Sequence, residues 1–123
     1  MKQALKCGKL FCPQDGKVLK NAVVLVDGSH ILAVQGESEV IPAGFDVIDL
    51  SERFVMPGLI DAHVHTASSG EPDGLAQSVR GTVGDVAFIS MRNAQADLYA
   101  GFTTLRDAGS TGFADVALRN AIN

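Results

Sequence analysis

A change of pattern at Pro57 constrains this chain more than any other feature. Before it, short apolar stretches are cut by turn residues. After it, strand-like and helix-like stretches alternate. In the first part, residues 4–11 alternate loosely between apolar and polar, and Pro13-Gln14-Asp15-Gly16 is a turn cluster. Ala22-Val23-Val24-Leu25-Val26 is short and rich in β-branched side chains, which marks a strand. Asp27-Gly28-Ser29 then leads into Ile31-Leu32-Ala33-Val34. An Asp-Gly pair between apolar runs is a strong hairpin signal, because Gly takes φ > 0 without steric cost. Ile41-Pro42-Ala43-Gly44 is another turn, and Val47-Ile48-Asp49-Leu50 and Phe54-Val55-Met56 read as two more short strands. Residues 1–56 are therefore expected to form a small antiparallel sheet, with too few strands to make a sandwich alone.

Beyond Pro57, residues 59–65 read as a strand and residues 67–81, rich in Ser, Gly, Glu and Asp, as a loop. Residues 85–100 have helical spacing. Ala87, Met91, Ala94 and Leu98 fall on one face, Thr82 and Asp85 can form a capping box, and Gly101 sits where a glycine ends a helix. Residues 102–106 read as a second strand, 107–112 as a loop, and 113–122 as the start of a second helix. Strand, helix, strand and helix in succession imply parallel strands joined by right-handed crossovers. The chain stops at Asn123 with no Gly or Pro closing that helix, an unusual place for a natural domain to end.

Composition narrows the classes of function. With 123 residues, 46% of them hydrophobic and 20% charged, the chain is too apolar for a disordered segment and fits one globular domain. A net charge of −4 argues against nucleic acid as a partner. No apolar run approaches the roughly 20 residues of a membrane helix, so no membrane partner is expected. The start, Met1-Lys2-Gln3-Ala4-Leu5-Lys6, is followed by charged residues and Gly that interrupt any secretory segment, which makes the cytoplasm the default location. Cys7 and Cys12 have no second Cys pair with which to build a zinc site. They read as free thiols, with a disulfide as the alternative.

The chemistry lies at His63 and His65. Residues i and i+2 of a strand point to the same face, so both imidazoles can converge on one point, and imidazole is a common ligand for zinc and similar metals. They stand at the C-terminal end of their strand, where sites gather in parallel α/β sheets and barrels. Asp61, on the same face, could orient an imidazole. The alternative is a pair of polar strand residues at a surface. A catalytic zinc takes at least three protein ligands in most cases, and no third is evident. His30 reads as a solvated turn residue.

Val55-Met56-Pro57-Gly58-Leu59-Ile60-Asp61-Ala62-His63-Val64-His65 closely resembles the signature at the first barrel strand of the amidohydrolase superfamily of metal-dependent hydrolases. The run from Asn21 through Ile31 is similar to the β-sandwich segment that precedes that strand. Ala100-Gly101-Phe102-Thr103-Thr104-Leu105-Arg106-Asp107-Ala108-Gly109 resembles the second barrel strand, most like the branch of Xaa-Pro dipeptidases (prolidases) and imidazolonepropionase. The resemblance implies an α/β fold. Residues 1–56 would be part of a small β-sandwich, and residues 57–123 the first two βα units of an incomplete (β/α)8 barrel, a fold of roughly 250 residues.

It further implies that His63 and His65 hold a divalent metal, usually zinc, with Asp61 in support, and that the complete enzyme carries one or two such ions. Arg106 and Asp107 match the end of the second strand, where no role is assigned. The reaction implied is hydrolysis of a C–N bond in a dipeptide or cyclic amide by a metal-activated water. The sequence departs from the family pattern after residue 65, where there is no further His, and after residue 20, where there is no further Lys. The remaining ligands and the general base would then lie beyond residue 123, and the chain alone would be inactive. The alternative is a small self-associating domain with a vestigial or subunit-bridging His-x-His site. In either case the open sheet edges lead us to expect a homo-oligomer.

Overall fold

Strand β1 (Lys2–Cys12) pairs antiparallel with β2 (Lys17–Asp27) along its length, from Lys2 opposite Asp27 to Cys12 opposite Lys17. The turn between them closes with Gly16 at φ +70, its N–H donating to the Cys12 carbonyl at 3.0 Å. Strand β3 (His30–Gln35) returns beside β2 through the Asp-Gly turn. Strand β4 (Asp46–Val55) pairs with the other edge of β1, in parallel, so the order is β3-β2-β1-β4. These strands belong to the first of two compact units, Met1–Pro57 and Gly58–Asn123. The computed structural model describes every residue but Ser69, and Leu75, Gln77 and Ser78 by backbone alone.

Two expectations for the first unit need correction. The sheet is mixed, not antiparallel throughout, because residues 36–45 carry the chain back before β4 begins, so that β4 runs the same way as β3 and β1. Turn residues in that link look the same whether they close a hairpin or belong to a crossover. The two short strands expected at 47–50 and 54–56 are one strand with a break in register, which passes from Cys7 opposite Leu50 to Lys9 opposite Phe54. Extra residues of β4 bulge there toward Gly8, where a Cβ would overlap the Ser51 carbonyl. The described residues of this unit form a single sheet.

Apolar side chains line both faces at its centre. Alternation along β2 sends Ala22 and Val24 to one face, with Cys7 and Leu10, and Val23 and Leu25 to the other, with Ala4. Ala33, Ile41 and Phe45 pack against the second cluster. Both cysteines are free, and burial pushes the Cys7 thiol above its ordinary pKa.

In the second unit, β5 (Leu59–Val64) and β6 (Phe102–Asp107) pair in parallel. Helix α2 (Val83–Tyr99) connects them, as alternating strand and helix patterns require. Its capping box is formed in both directions. Thr82 Oγ1 accepts the Asp85 N–H at 3.2 Å, and Asp85 Oδ2 accepts the Thr82 N–H at 2.8 Å. Gly101, at φ +100, ends the helix with its N–H on the Leu98 carbonyl at 3.0 Å. The same residue's carbonyl accepts the Leu59 N–H at 2.9 Å, so the helix stop also starts the ladder to β5.

Residues 67–81 are not all loop. Gly74–Arg80 forms a short helix, α1, whose seven residues are too few to show a period. Helix α3 (Ala114–Ile122) packs on α2 after a 3₁₀ turn. The buried stripe of α2 runs one residue ahead of the expected face. Val86 and Ser90 are buried and Asn93 and Asp97 half-buried, whereas Met91 and Leu98 are 51% and 56% exposed. A cavity of about 450 Å³ between α2, β6 and α3 is lined mainly by apolar groups such as Leu98, Phe102, Leu105 and Leu118, and by neither histidine of this unit. No helix among the described residues is long and apolar enough to cross a membrane.

Candidate metal centre

The pleat of β5 sets the two imidazoles side by side. His63 lies in the strand and His65 directly follows its end. Their ring centroids are 5.3 Å apart and the planes meet edge to face at 72°. Both are exposed. Two imidazoles this close, at the C-terminal end of a parallel strand, are a suitable donor set for half of a zinc-type site. Among the described residues, no three His, Cys, Asp or Glu side chains come together to complete one. His30 lies at the start of β3 in the other unit, beside Ser29 Oγ at 3.2 Å.

Asp61 meets its neighbour through the backbone, with Oδ1 accepting the His63 N–H at 3.0 Å. It therefore fixes the strand beneath the ring. Arg106 reaches across from β6 to donate to the Ala62 carbonyl at 3.1 Å.

Sequence reasoning assigned no role to Asp107, yet it is the most connected side chain near the pair. Its Oδ2 accepts the Thr66 N–H at 3.0 Å and the Thr66 hydroxyl at 2.6 Å, and its Oδ1 accepts the Gly109 N–H at 3.0 Å. The Gly109 carbonyl is in turn 3.0 Å from His65 Nδ1. Burial pushes the Asp107 carboxyl upward. The hydrogen bonds from Thr66 and Gly109, with the charge of His65, outweigh that and hold it below the usual carboxylate range.

Thr66 extends the network to α2, where its hydroxyl lies 2.7 Å from Ser90 Oγ. Asn93 Nδ2 donates to the carbonyls of Thr66 and Ser68, both at 2.8 Å. The signal for these contacts lay in the polar residues of an otherwise amphipathic helix, Ser90 and Asn93, at i and i+3 on one face.

A parallel strand pair bridged by a helix, with paired imidazoles at the strand end, defines an α/β protein with a candidate site at its C-terminal sheet edge. Residues 54–123 match the model of the amidohydrolase family, and the chain belongs to that family. Among curated relatives, a dihydroorotase of Pelotomaculum thermopropionicum is 31% identical over 122 residues, covering 94% of this chain and 28% of the relative. An imidazolonepropionase of Anaeromyxobacter dehalogenans is 39% identical over 66 residues, covering 50% of this chain and 16% of the relative. The crystal structure of a Xaa-Pro dipeptidase with methionine in its active site superposes with a TM-score of 0.85 at 27% identity, covering 100% of this chain and 30% of that one. The chain thus spans less than a third of the length of these relatives. The family resemblance drawn from the motifs is borne out.

Proposed function

We propose that this chain forms part of a metal-dependent amidohydrolase that splits an amide, peptide or cyclic-amide C–N bond, with dipeptides among its substrates. His63 and His65 hold a divalent ion, zinc in the first instance, and Asp61 supports them through the strand. The observation that carries this reading is the pair of imidazoles 5.3 Å apart at the end of β5. When bound, such an ion polarises a carbonyl and lowers the pKa of water toward neutrality. The contribution of this chain is to place two nitrogen donors side by side at the end of β5. Residues 57–123 are, on this reading, the first two βα units of a barrel. The further ligands and the general base come from residues outside the chain, because no His follows residue 65 and no Lys follows residue 20.

The experiment is zinc titration of the 123-residue chain by calorimetry, beside the His63→Ala and His65→Ala variants, with a dipeptidase assay on the same samples. We expect weak binding that either substitution abolishes, and no turnover. Binding that survives both substitutions would overturn the metal assignment. Zinc-dependent turnover by the chain, lost in His63→Ala, would overturn the assignment of the further ligands and the general base to residues outside it.

A second reading is a self-associating, non-catalytic unit. The exposure of Leu59 and Ile60 on β5 favours it, since apolar strand residues at an open edge invite another chain.

A further inference from the structure

We infer that Asp107 is a positioning residue for His65. Through the Gly109 carbonyl it holds the ring with the proton on Nδ1, which leaves the Nε2 lone pair as the donor offered to a ligand. The part concerning a metal rests on the proposed role of His65 as a ligand.

The Gly109 carbonyl can only accept, so the 3.0 Å contact requires the proton on Nδ1. In a neutral imidazole the other nitrogen is then the acceptor, and ligand histidines commonly fix their tautomer in this way. His65 is exposed, so burial does not hold the ring. What is built is the carbonyl, and Asp107 builds it. One carboxylate oxygen accepts the Gly109 N–H, and the other accepts both the N–H and the hydroxyl of Thr66, the residue after His65. A single carboxylate thus ties together the residue next to the ring and the residue whose carbonyl meets it.

The ladder bond from Ala108 N–H to the Val64 carbonyl, at 2.9 Å, closes the same patch of backbone. Thr66 is 5% exposed and Ser90 wholly buried, so the anchor of the clamp is sheltered from water. Gly109 adopts φ +142, a conformation that side chains other than hydrogen rarely take. Its carbonyl is therefore aimed by a backbone geometry that an alanine would strain.

The test reads the imidazole nitrogens directly, by long-range ¹H–¹⁵N NMR of the metal-free chain at about pH 9, where an ordinary imidazole is neutral. The wild type should show His65 predominantly as the Nδ1–H form. Asp107→Asn should move His65 toward a mixture while the signals of His30 and His63 keep their tautomer ratios. Gly109→Ala, which leaves the carboxylate in place, should do the same. It serves as the second variant if Asp107→Asn fails to fold by its amide spectrum. Zn²⁺ alone, titrated into the same samples, should bind about 10–100-fold more weakly in either variant.

A wild-type His65 with its proton on Nε2, or a tautomer ratio unchanged in both variants, would overturn the proposal. If the ring shifts as expected but the wild type binds no Zn²⁺, the positioning stands and the metal reading falls.

Discussion

Thr66 and Ser90 bring two hydroxyls together in a buried position, and the order of donors follows from the carboxylate beside them. Asp107 accepts the Thr66 proton at 2.6 Å, so Ser90 donates to Thr66 at 2.7 Å. Replacing Ser90 with valine removes that donor and sets a methyl against a buried polar oxygen. The unsatisfied group should cost about 1–3 kcal/mol. Ser90→Val is therefore expected to lower the Tm of the second unit, measured by circular dichroism. An unchanged Tm would mean that the hydroxyl pair is idle. The histidine pair was legible in the sequence because two-residue spacing in a strand dictates a shared face. Asp107 and Thr66 were not, since their partners lie 41 residues apart in the chain. Separation of that kind carries no local pattern.

Helix α2 shows what a period can and cannot say. Its start and stop follow from short-range chemistry, Thr82 with Asp85 at one end and Gly101 at the other, and both formed as the sequence implied. Thr82→Ala should cost about 1 kcal/mol by removing the cap. The hydrogen bonds from the Thr82 side chain, and then its backbone, hold the Asp85 carboxyl below its ordinary pKa. A carboxylate with a depressed folded pKa adds stability above the unfolded value of about 4, and that stability is lost as pH falls through the lower folded value. An Asp85→Asn variant should therefore lose less stability than wild type on acidification below about pH 4, in denaturant melts across that range.

Which face of the helix turns inward was another matter. Two stripes with the same spacing compete on α2, the apolar Ala87-Met91-Ala94-Leu98 and the mixed Val86-Ser90-Asn93-Asp97. Hydrogen bonds from Ser90 to Thr66, and from Asn93 to the loop after β5, favour the second. Val86→Ala is expected to cost on the order of 2 kcal/mol and Met91→Ser less than about 0.5 kcal/mol. A melt series in which Met91→Ser is the more damaging would place the core on the other face.

At the scale of the molecule, each unit's sheet, among the described residues, ends in edge strands, β3 and β4 in the first and β5 and β6 in the second. Ile31, Val47 and Ile60, on three of those strands, are 69%, 54% and 69% exposed. Such edges template pairing with another chain. We therefore expect the protein to self-associate, giving a mass above that of one chain in light scattering at high concentration. A clean monomer would count against it.

The sequence by itself determined where most strands and the two longer helices stand, the cap and the stop of α2, the parallel pairing implied by strand–helix–strand order, and the placing of two histidines on one strand face, but not helix α1 or the joining of residues 46–55 into one strand. The cap, the stop and the shared strand face are decided by neighbours within a turn or two of the chain, where sterics and hydrogen-bonding reach are short, and the parallel pairing follows from the order of elements. The tertiary structure alone decided that β4 runs parallel to β1, that Ser90 and Asn93 face inward, and that Asp107 and Gly109 grip the segment carrying His65. Those outcomes rest on contacts between residues far apart in sequence, whose partners are found only once the whole backbone has been placed.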